Sequence, residues 1–311
     1  MANSMSNIKK RRKKDVNRMG YLFVLPFVIV FLIFSIYPVI RTFYLSFASY
    51  KGFGKPEIIG FDNYIRVVQD KFFWRSLWNT CKIWGANIIL QLGLAFLLTI
   101  VFSDVKYRMR GLSVFRALFY LPNLIAATSV AYLFKTMLNW KYGTFNQLLM
   151  SIGAIAKGGQ INWLGDPNIA PYVVSVIGAW MWFGNSFIVL MAGVQGINRD
   201  YFEAASIDGA GRWKIFGRIT IPLLRPILIY VSITSLIGGL QLFELPFLMN
   251  EKGSAGLPAG KLQTVVMYLY KFGFEGGGMK QVGYASAIAY SLFLIILVVS
   301  VIQFRVMRER E

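Results

Sequence analysis

Few side chains in the apolar stretches of this sequence could do chemistry, and none of those few is basic. Trp182 and Asn185 stand three residues apart in one stretch, and Gln241 and Glu244 stand three apart in another. At helical spacing, each pair lies on one face. An aromatic ring beside hydrogen-bonding groups suits a polar, uncharged molecule. These four residues are therefore the predicted substrate contacts.

Structural roles for the same residues remain open alternatives. Asn185 and Gln241 could bond neighbouring helices, and Glu244 could lie near a membrane interface. Three further amide side chains in apolar stretches are weaker candidates with mainly structural expectations: Asn87, Gln91 and Asn123.

Several kinds of chemistry are excluded by residues that the sequence lacks. It has no histidine, which excludes histidine-based catalysis and histidine metal sites. Its one cysteine, Cys81, cannot form an intrachain disulfide. Gly260-Lys261 is the nearest approach to a phosphate-binding loop, but Ala255 and Leu262 replace required residues. No metal site and no catalytic residue is expected in the chain.

The elements that must position these residues are apolar blocks about 20 residues long, enough to cross a hydrocarbon core of roughly 30 Å. Charged residues make up only 15% of the chain. Six spans are predicted, over residues 21–41, 82–102, 113–134, 169–194, 226–249 and 284–304. The fold class is thus an all-α polytopic membrane bundle, and residues 61–80 are expected to form an amphipathic helix outside the second span.

The net charge of +19 is distributed beside the spans rather than on a nucleic-acid-binding face. Lys9 to Lys14 is an unbroken basic run, and more than half of the 33 Lys and Arg residues fall in segments that the six spans place on one side. Positively charged flanks stay cytoplasmic. We therefore predict a cytoplasmic tail over residues 1–18, a membrane domain over 19–311, an uncleaved first span and both termini inside. No nucleic-acid partner is expected.

The segment of residues 198–222 is a predicted cytoplasmic connection between spans four and five. Asp200 is expected to cap a first helix, with Glu203 completing a capping-box-like arrangement. Gly209, expected at positive φ, and Gly211 would end it, and a second helix from Arg212 would stop before Pro222. Ala204 and Ala205 give the first helix a smooth face for close docking.

This segment resembles the EAA signature of binding-protein-dependent ABC importer permeases. The matching positions are Glu203, Ala204, Ala205, Gly209, Ile219 and Pro222, with Ile221 where the family usually has Leu. Short stretches at residues 21–26, 37–38, 60–64, 79–80 and 120–122 are similar to the sugar-uptake branch, which includes maltose-type permeases.

The resemblance implies a type I importer permease fold with a cytoplasmic coupling-helix loop, in the bacterial inner membrane. It implies that the six matching residues couple the chain to two copies of a separate ABC ATPase, which hold the ATP and Mg²⁺. A second homologous permease, an extracytoplasmic sugar-binding protein and membrane lipid are the other implied partners. The implied function is import of a sugar, with an oligosaccharide favoured.

Other functions were weighed against this one. Glycerol phosphate or another polar solute is an alternative substrate, although cations are absent from the predicted span interiors. A secondary transporter would more often carry buried ionisable groups, and only Glu244 is available. A membrane-embedded enzyme would need clustered carboxylates, histidines or cysteines, which the sequence lacks.

Overall fold

The computed structural model describes residues 19–102, 111–156, 158–250, 255, 260–275 and 280–308. The loop around Arg108, the basic tail of residues 1–18 and the Gly-rich stretches at 253–254, 256–259 and 276–278 lie outside the described residues.

The apolar blocks are helical, as predicted. Among the described residues, five helices are long and apolar enough to span a membrane, and the count is six if one bent helix pair forms a single span. The long helices are α1 (Met19–Ser46), α3 (Lys71–Phe102), α7 (Ala170–Gln195) and α13 (Val282–Arg308), and α10 (Arg225–Leu240) continues after a break into α11 (Glu244–Met249). The bent pair is α4 (Leu112–Leu124) and α5 (Ala127–Met137). The all-α membrane fold is thereby confirmed.

Helix α7 forms the centre of the bundle and packs along α3 over much of its length. More than half of its most apolar window is buried, against none of the corresponding window of α1. Polar contacts tie the two helices together. Gln91 Nε2 donates to Ser186 Oγ at 2.7 Å, and Asn87 Nδ2 donates to the Ser175 carbonyl at 3.1 Å. The weaker candidates Asn87 and Gln91 thus hold helices together.

Two of the apolar segments are interrupted. Helices α4 and α5 meet at 86°, and residues 241–243 separate the end of α10 at Leu240 from the start of α11 at Glu244. The distal halves α5 and α11 pack against each other. A proline inside a helix is expected to interrupt it, but the break in the fifth span lies at residues 241–243 and not at Pro246. Pro246 lies in the first turn of α11, where backbone N–H groups have no intrahelical acceptor and a missing donor costs little.

The predicted helix over residues 61–80 is also corrected. Helix α2 covers Asp62–Gln69, Asp70 ends it in extended geometry, and residues 71–80 belong to α3. The reason is local: Asp70 Oδ1 accepts the Phe72 amide at 2.9 Å and thereby caps the next helix. A short antiparallel pair, β1 (Ala48–Ser49) with β2 (Glu57–Ile58), precedes α2.

Helix α6 (Thr144–Ser151) lies in the segment between α5 and α7, also on the predicted outer side. The buried Asn146 organises it. Its Nδ2 donates to the Trp140 and Ile161 carbonyls, and its Oδ1 accepts from Trp163 Nε1 at 3.0 Å. One amide thus uses both its donor and acceptor groups to close this segment.

Candidate functional site

The connection between α7 and α10 holds α8 (Arg199–Ile207) and α9 (Arg212–Ile215). Asn198, not Asp200, is the N-cap of α8, because the Asn198 side chain accepts the Asp200 amide at 3.1 Å. The predicted capping box is therefore wrong, since Glu203 stands five residues beyond the true cap rather than three.

Gly209 ends α8 in the left-handed conformation that the sequence predicted, with φ of 72°. The Gly209 amide donates to the Ser206 carbonyl at 3.2 Å, and the Ala210 amide donates to the Ala205 carbonyl at 2.9 Å. These two bonds make a Schellman motif, which satisfies the last carbonyls of the helix. The helix end is thus held by backbone bonds that depend on a residue tolerating positive φ.

The predicted coupling residues differ in exposure. Phe202 and Ala205 are buried and fix α8 to the rest of the chain, whereas Glu203, Ala204 and Gly209 are exposed. Pro222 is also exposed and Ile219 is half-buried. Glu203 and Ala204 therefore face outward, whereas Ala205, predicted for the same smooth docking face, packs inward instead.

Two large apolar side chains at this tip were missed by the sequence reasoning. Ile207 is 86% exposed and Trp213 is 72% exposed, one on each side of the Gly209 turn. Their exposure could have been predicted from their position beside the turn glycines Gly209 and Gly211, because an apolar residue at a turn is not on a helix face that packs against the bundle.

The sequence predicted that the second helix stops before Pro222, which is wrong. Helix α9 continues through a π turn over Phe216–Thr220 and a short segment over Ile221–Leu223 into α10. The Ile221 amide bonds the Phe216 carbonyl five residues back. The wider π turn changes the hydrogen-bond pattern just before Pro222, which has no backbone N–H to donate. The helix can therefore continue past the proline.

The predicted substrate contacts occupy α7 and the break in the fifth span. Trp182 is 50% exposed and Asn185 is half-buried on α7. Gln241 caps the end of α10 and Glu244 begins α11, and both are exposed. Within the described residues, no hydrogen bond uses the side chains of Asn185, Gln241 or Glu244. Among the described residues, no hydrogen bond or ring contact joins the pair on α7 to the pair at the break.

Asp70, which the sequence did not single out, ties three elements together on the predicted outer side. Its Oδ2 accepts from Tyr268 Oη at 2.5 Å and from Tyr284 Oη at 2.6 Å. Arg66 lies over the Tyr284 ring at 3.8 Å and donates to Gln281 Oε1 at 2.6 Å. Tyr268 belongs to α12 (Val265–Tyr270), so α12 and α13 are joined to the start of α3.

The environment of Asp70 changes its acidity. Burial alone would raise its pKa, but hydrogen bonds from Tyr268, Tyr284 and two backbone amides hold the pKa below its ordinary value. An open depression of about 560 Å³ lies beside this group and is lined by Asp62, Ile65, Arg66, Gln69, Asp70, Phe72 and Tyr268. Among the described residues, no group of three Cys, Asp or Glu side chains could hold a metal ion.

A bundle of apolar helices with interrupted segments and an exposed helical loop is typical of a membrane transport protein. The chain matches the family described as binding-protein-dependent transport system inner membrane component over residues 91–310. It belongs to this family and is an ABC importer permease, which sets the secondary-transporter and enzyme alternatives aside.

The relatives span the whole chain. The lactose transport system permease protein LacF of Rhizobium radiobacter is 34% identical, with 99% of both chains covered. The trehalose/maltose transport system permease protein MalF of Thermococcus litoralis is 31% identical, with 98% of this chain and 99% of the relative covered. A solved structure of a bacterial ABC transporter involved in the import of the acidic polysaccharide alginate is 26% identical in sequence. The match covers 96% of this chain and 99% of that one, with a TM-score of 0.81.

Proposed function

We propose that this chain is the permease subunit through which a sugar, with an oligosaccharide favoured, crosses the inner membrane. ATP hydrolysis, with its Mg²⁺, takes place on two copies of a separate ABC ATPase. The printed functions of the relatives support the substrate class, since they include lactose, trehalose/maltose and arabinooligosaccharide permeases. A neutral sugar is favoured over an anion because none of the candidate contacts Trp182, Asn185, Gln241 and Glu244 is basic.

The observation that carries the coupling role is the docking face between Glu203 and Trp213. It combines an exposed carboxylate, a small residue at Ala204 and the uncovered apolar side chains Ile207 and Trp213. Aromatic and aliphatic anchors of this kind dominate the binding energy of protein interfaces. The proposed partner at this face is the ATPase, into whose cleft α8 and the Gly209 turn fit.

The substrate path is supported by the break at residues 241–243. Irregular backbone at membrane depth is tolerated only where protein buries it or where it lines a water-filled cavity. Gln241 and Glu244 are exposed at this break, so a cavity is the arrangement that satisfies both. Discontinuous helices form the substrate sites of many transporters.

The remaining partners follow from the surfaces that the chain leaves open. The most apolar window of α1 has no buried residue, so its surface is available to a second, homologous permease and to membrane lipid. An extracytoplasmic sugar-binding protein delivers the substrate to the predicted outer side. Both termini lie in the cytoplasm, with residues 1–18 as a basic tail and residues 19–311 as the permease domain.

The coupling role is tested with Gly209→Val in the complete transporter reconstituted in vesicles. A β-branched residue at positive φ costs roughly 1 kcal/mol or more, so the helix end is displaced while the spans insert normally. We expect loss of uptake and loss of ATPase stimulation by the sugar-loaded binding protein. Glu203→Ala should weaken both.

The matched control is Gly209→Asn. Asn is the residue other than Gly that most readily adopts positive φ at a helix C-terminus, so it keeps the conformation that Val cannot adopt. Stimulation should therefore persist in the Gly209→Asn complex. Full stimulation in the Gly209→Val complex would show that this loop does not couple ATP hydrolysis to transport.

A further inference from the structure

Four aromatic side chains near the break of the fifth span come in two pairs with helical spacing. Phe243 and Phe247 are four residues apart and stack with ring centroids 4.8 Å apart and planes at 24°. Tyr270 and Phe274 are also four apart, and stack at 5.1 Å and 20°. Each pair therefore lies on one face of its own segment.

The two pairs form one surface. The Tyr270 ring lies 5.2 Å from Phe243 and 5.3 Å from Phe247, centroid to centroid. The rings thus connect the break in the span to the turn that follows α12. Burial decreases along this direction, from half-buried Phe243 and Phe247 to Phe274, which is 62% exposed.

The neighbouring aromatic pair on the same segment has a different role. Tyr268 and Phe272 are also four residues apart, but they face Asp70 and Tyr284, and Tyr268 is buried. Core packing therefore accounts for Tyr268 and Phe272. It does not account for the exposed ring at Phe274.

Polar residues at both ends of the aromatic surface favour an aqueous surface over a lipid-facing one. Gln241 and Glu244 are exposed beside Phe243, at the break. Lys271 and Glu275 are exposed beside Phe274. Four polar or charged side chains around four rings would be costly against acyl chains, whereas they suit a water-filled entrance.

We propose that Phe243, Phe247, Tyr270 and Phe274 form a platform on which the sugar rings of an oligosaccharide stack as it enters from the predicted outer side. The apolar C–H face of a pyranose packs on an aromatic ring, and its hydroxyl groups bond the amide of Gln241 and the carboxylate of Glu244 at the inner end. The platform rests on the proposed function and deepens it, since it makes the permease itself sensitive to the length of the sugar.

The test uses the full reconstituted transporter and a series of oligosaccharides of one type and increasing length, with sugar-loaded binding protein at saturation. Phe274→Leu keeps an apolar side chain but removes the flat ring. We expect the maximal uptake rate of the longest transported sugar to fall roughly three- to tenfold, the effect of losing one ring contact. The shortest transported sugar should be imported at the normal rate.

Two variants serve as controls. Phe274→Trp retains a flat ring and should restore the uptake of the longest sugar. Phe293→Leu removes a ring that is 53% exposed on α13 and packs against Tyr290 rather than against the platform, and it should leave uptake at all lengths unchanged.

Each other result overturns the platform. An equal loss at every length, or no loss, would mean that Phe274 does not contact the sugar. A requirement for more binding protein, with an unchanged length profile, would assign Phe274 to the docking of that protein. If the wild-type complex imported no sugar of any length, the proposed function itself would fail, a result distinct from the failure of the platform.

Discussion

Trp182 and Gln241 offer two different contacts to a sugar, a ring face and an amide. Losing one such partner in a desolvated site typically costs about 1–3 kcal/mol. We therefore expect Trp182→Ala and Gln241→Ala to reduce sugar uptake while the complex still assembles. Trp78→Ala is the control, because Trp78 is another exposed tryptophan, 66% exposed near the start of α3, and is not one of the proposed contacts. Normal uptake in both variants across substrate concentrations would remove these residues from the path.

Asp70 gives the predicted outer side a dependence on pH. Its pKa is lowered in the folded protein, so its contribution to stability is present above the unfolded pKa of about 3.9 and is lost as pH falls through the folded pKa. Protonation weakens the bonds accepted from Tyr268 and Tyr284. Asp70→Asn should lower the thermal stability of the purified complex at neutral pH and flatten its decline in acid.

The control for this prediction is Asp62→Asn. Asp62 is exposed and lines the same depression, and no hydrogen bond to its side chain is recorded among the described residues. It should reproduce the wild-type pH profile. An Asp70→Asn complex with the wild-type profile would show that the two tyrosine bonds do not link stability to pH.

At the scale of elements, α4 and α7 approach closely at Gly184. A Cβ added there would overlap the Phe119 carbonyl oxygen, a backbone atom that cannot rotate away. Gly184→Ala should therefore lower the free energy of unfolding by about 1–3 kcal/mol, as overpacking does. Thermal unfolding of the solubilised complex measures it.

Gly93→Ala in α3 is the matched change, since a Cβ at Gly93 meets no atom within 4 Å and alanine favours a helix. It should be neutral or stabilising. If the two alanine variants were equally stable, the close approach of α4 to α7 would not limit packing.

The sequence predicted the elements better than their interruptions. Apolar blocks gave six spans because the bilayer imposes a length on each. The 86° bend after Leu124 was missed, since hydropathy records composition and not direction. Pro222 and Pro246 were both read as helix breakers. Pro222 follows a π turn, and Pro246 lies in the first turn of its helix. At both positions the helix tolerates a residue without a backbone N–H donor.

The candidate site was predictable in part. The positive φ of Gly209 follows from residue type and is confirmed. The roles assigned to Trp182, Asn185, Gln241 and Glu244 stay predictions. The bonds of Asp70 could not be foreseen, because Tyr268 and Tyr284 are about 200 residues distant in sequence and meet it only through tertiary packing.

At the scale of the whole molecule, the orientation in the membrane is a testable consequence of the charge distribution. In a Cys81→Ser background, single cysteines near Lys55 and Lys252 should react with an impermeant maleimide in intact cells. A cysteine near Arg108 should react only after permeabilisation. Labelling of this cysteine in intact cells would show that the predicted topology is wrong. Lys252 and Arg108 lie outside the described residues, so labelling is the direct way to place them.

The helix that passes through Pro222 has a mechanical consequence. From Arg212 to Leu240 the backbone is helical almost without interruption, with the Leu224 amide bonded to Thr220 and the Leu228 amide bonded to Leu224. At 1.5 Å per residue the segment is about 40 Å long, measured along its helical path. One end lies at the loop proposed to meet the ATPase and the other at the break that carries Gln241. If the loop meets the ATPase as proposed, a movement of the loop would be passed along this hydrogen-bonded backbone to Gln241, and no other chain would be needed between the two sites.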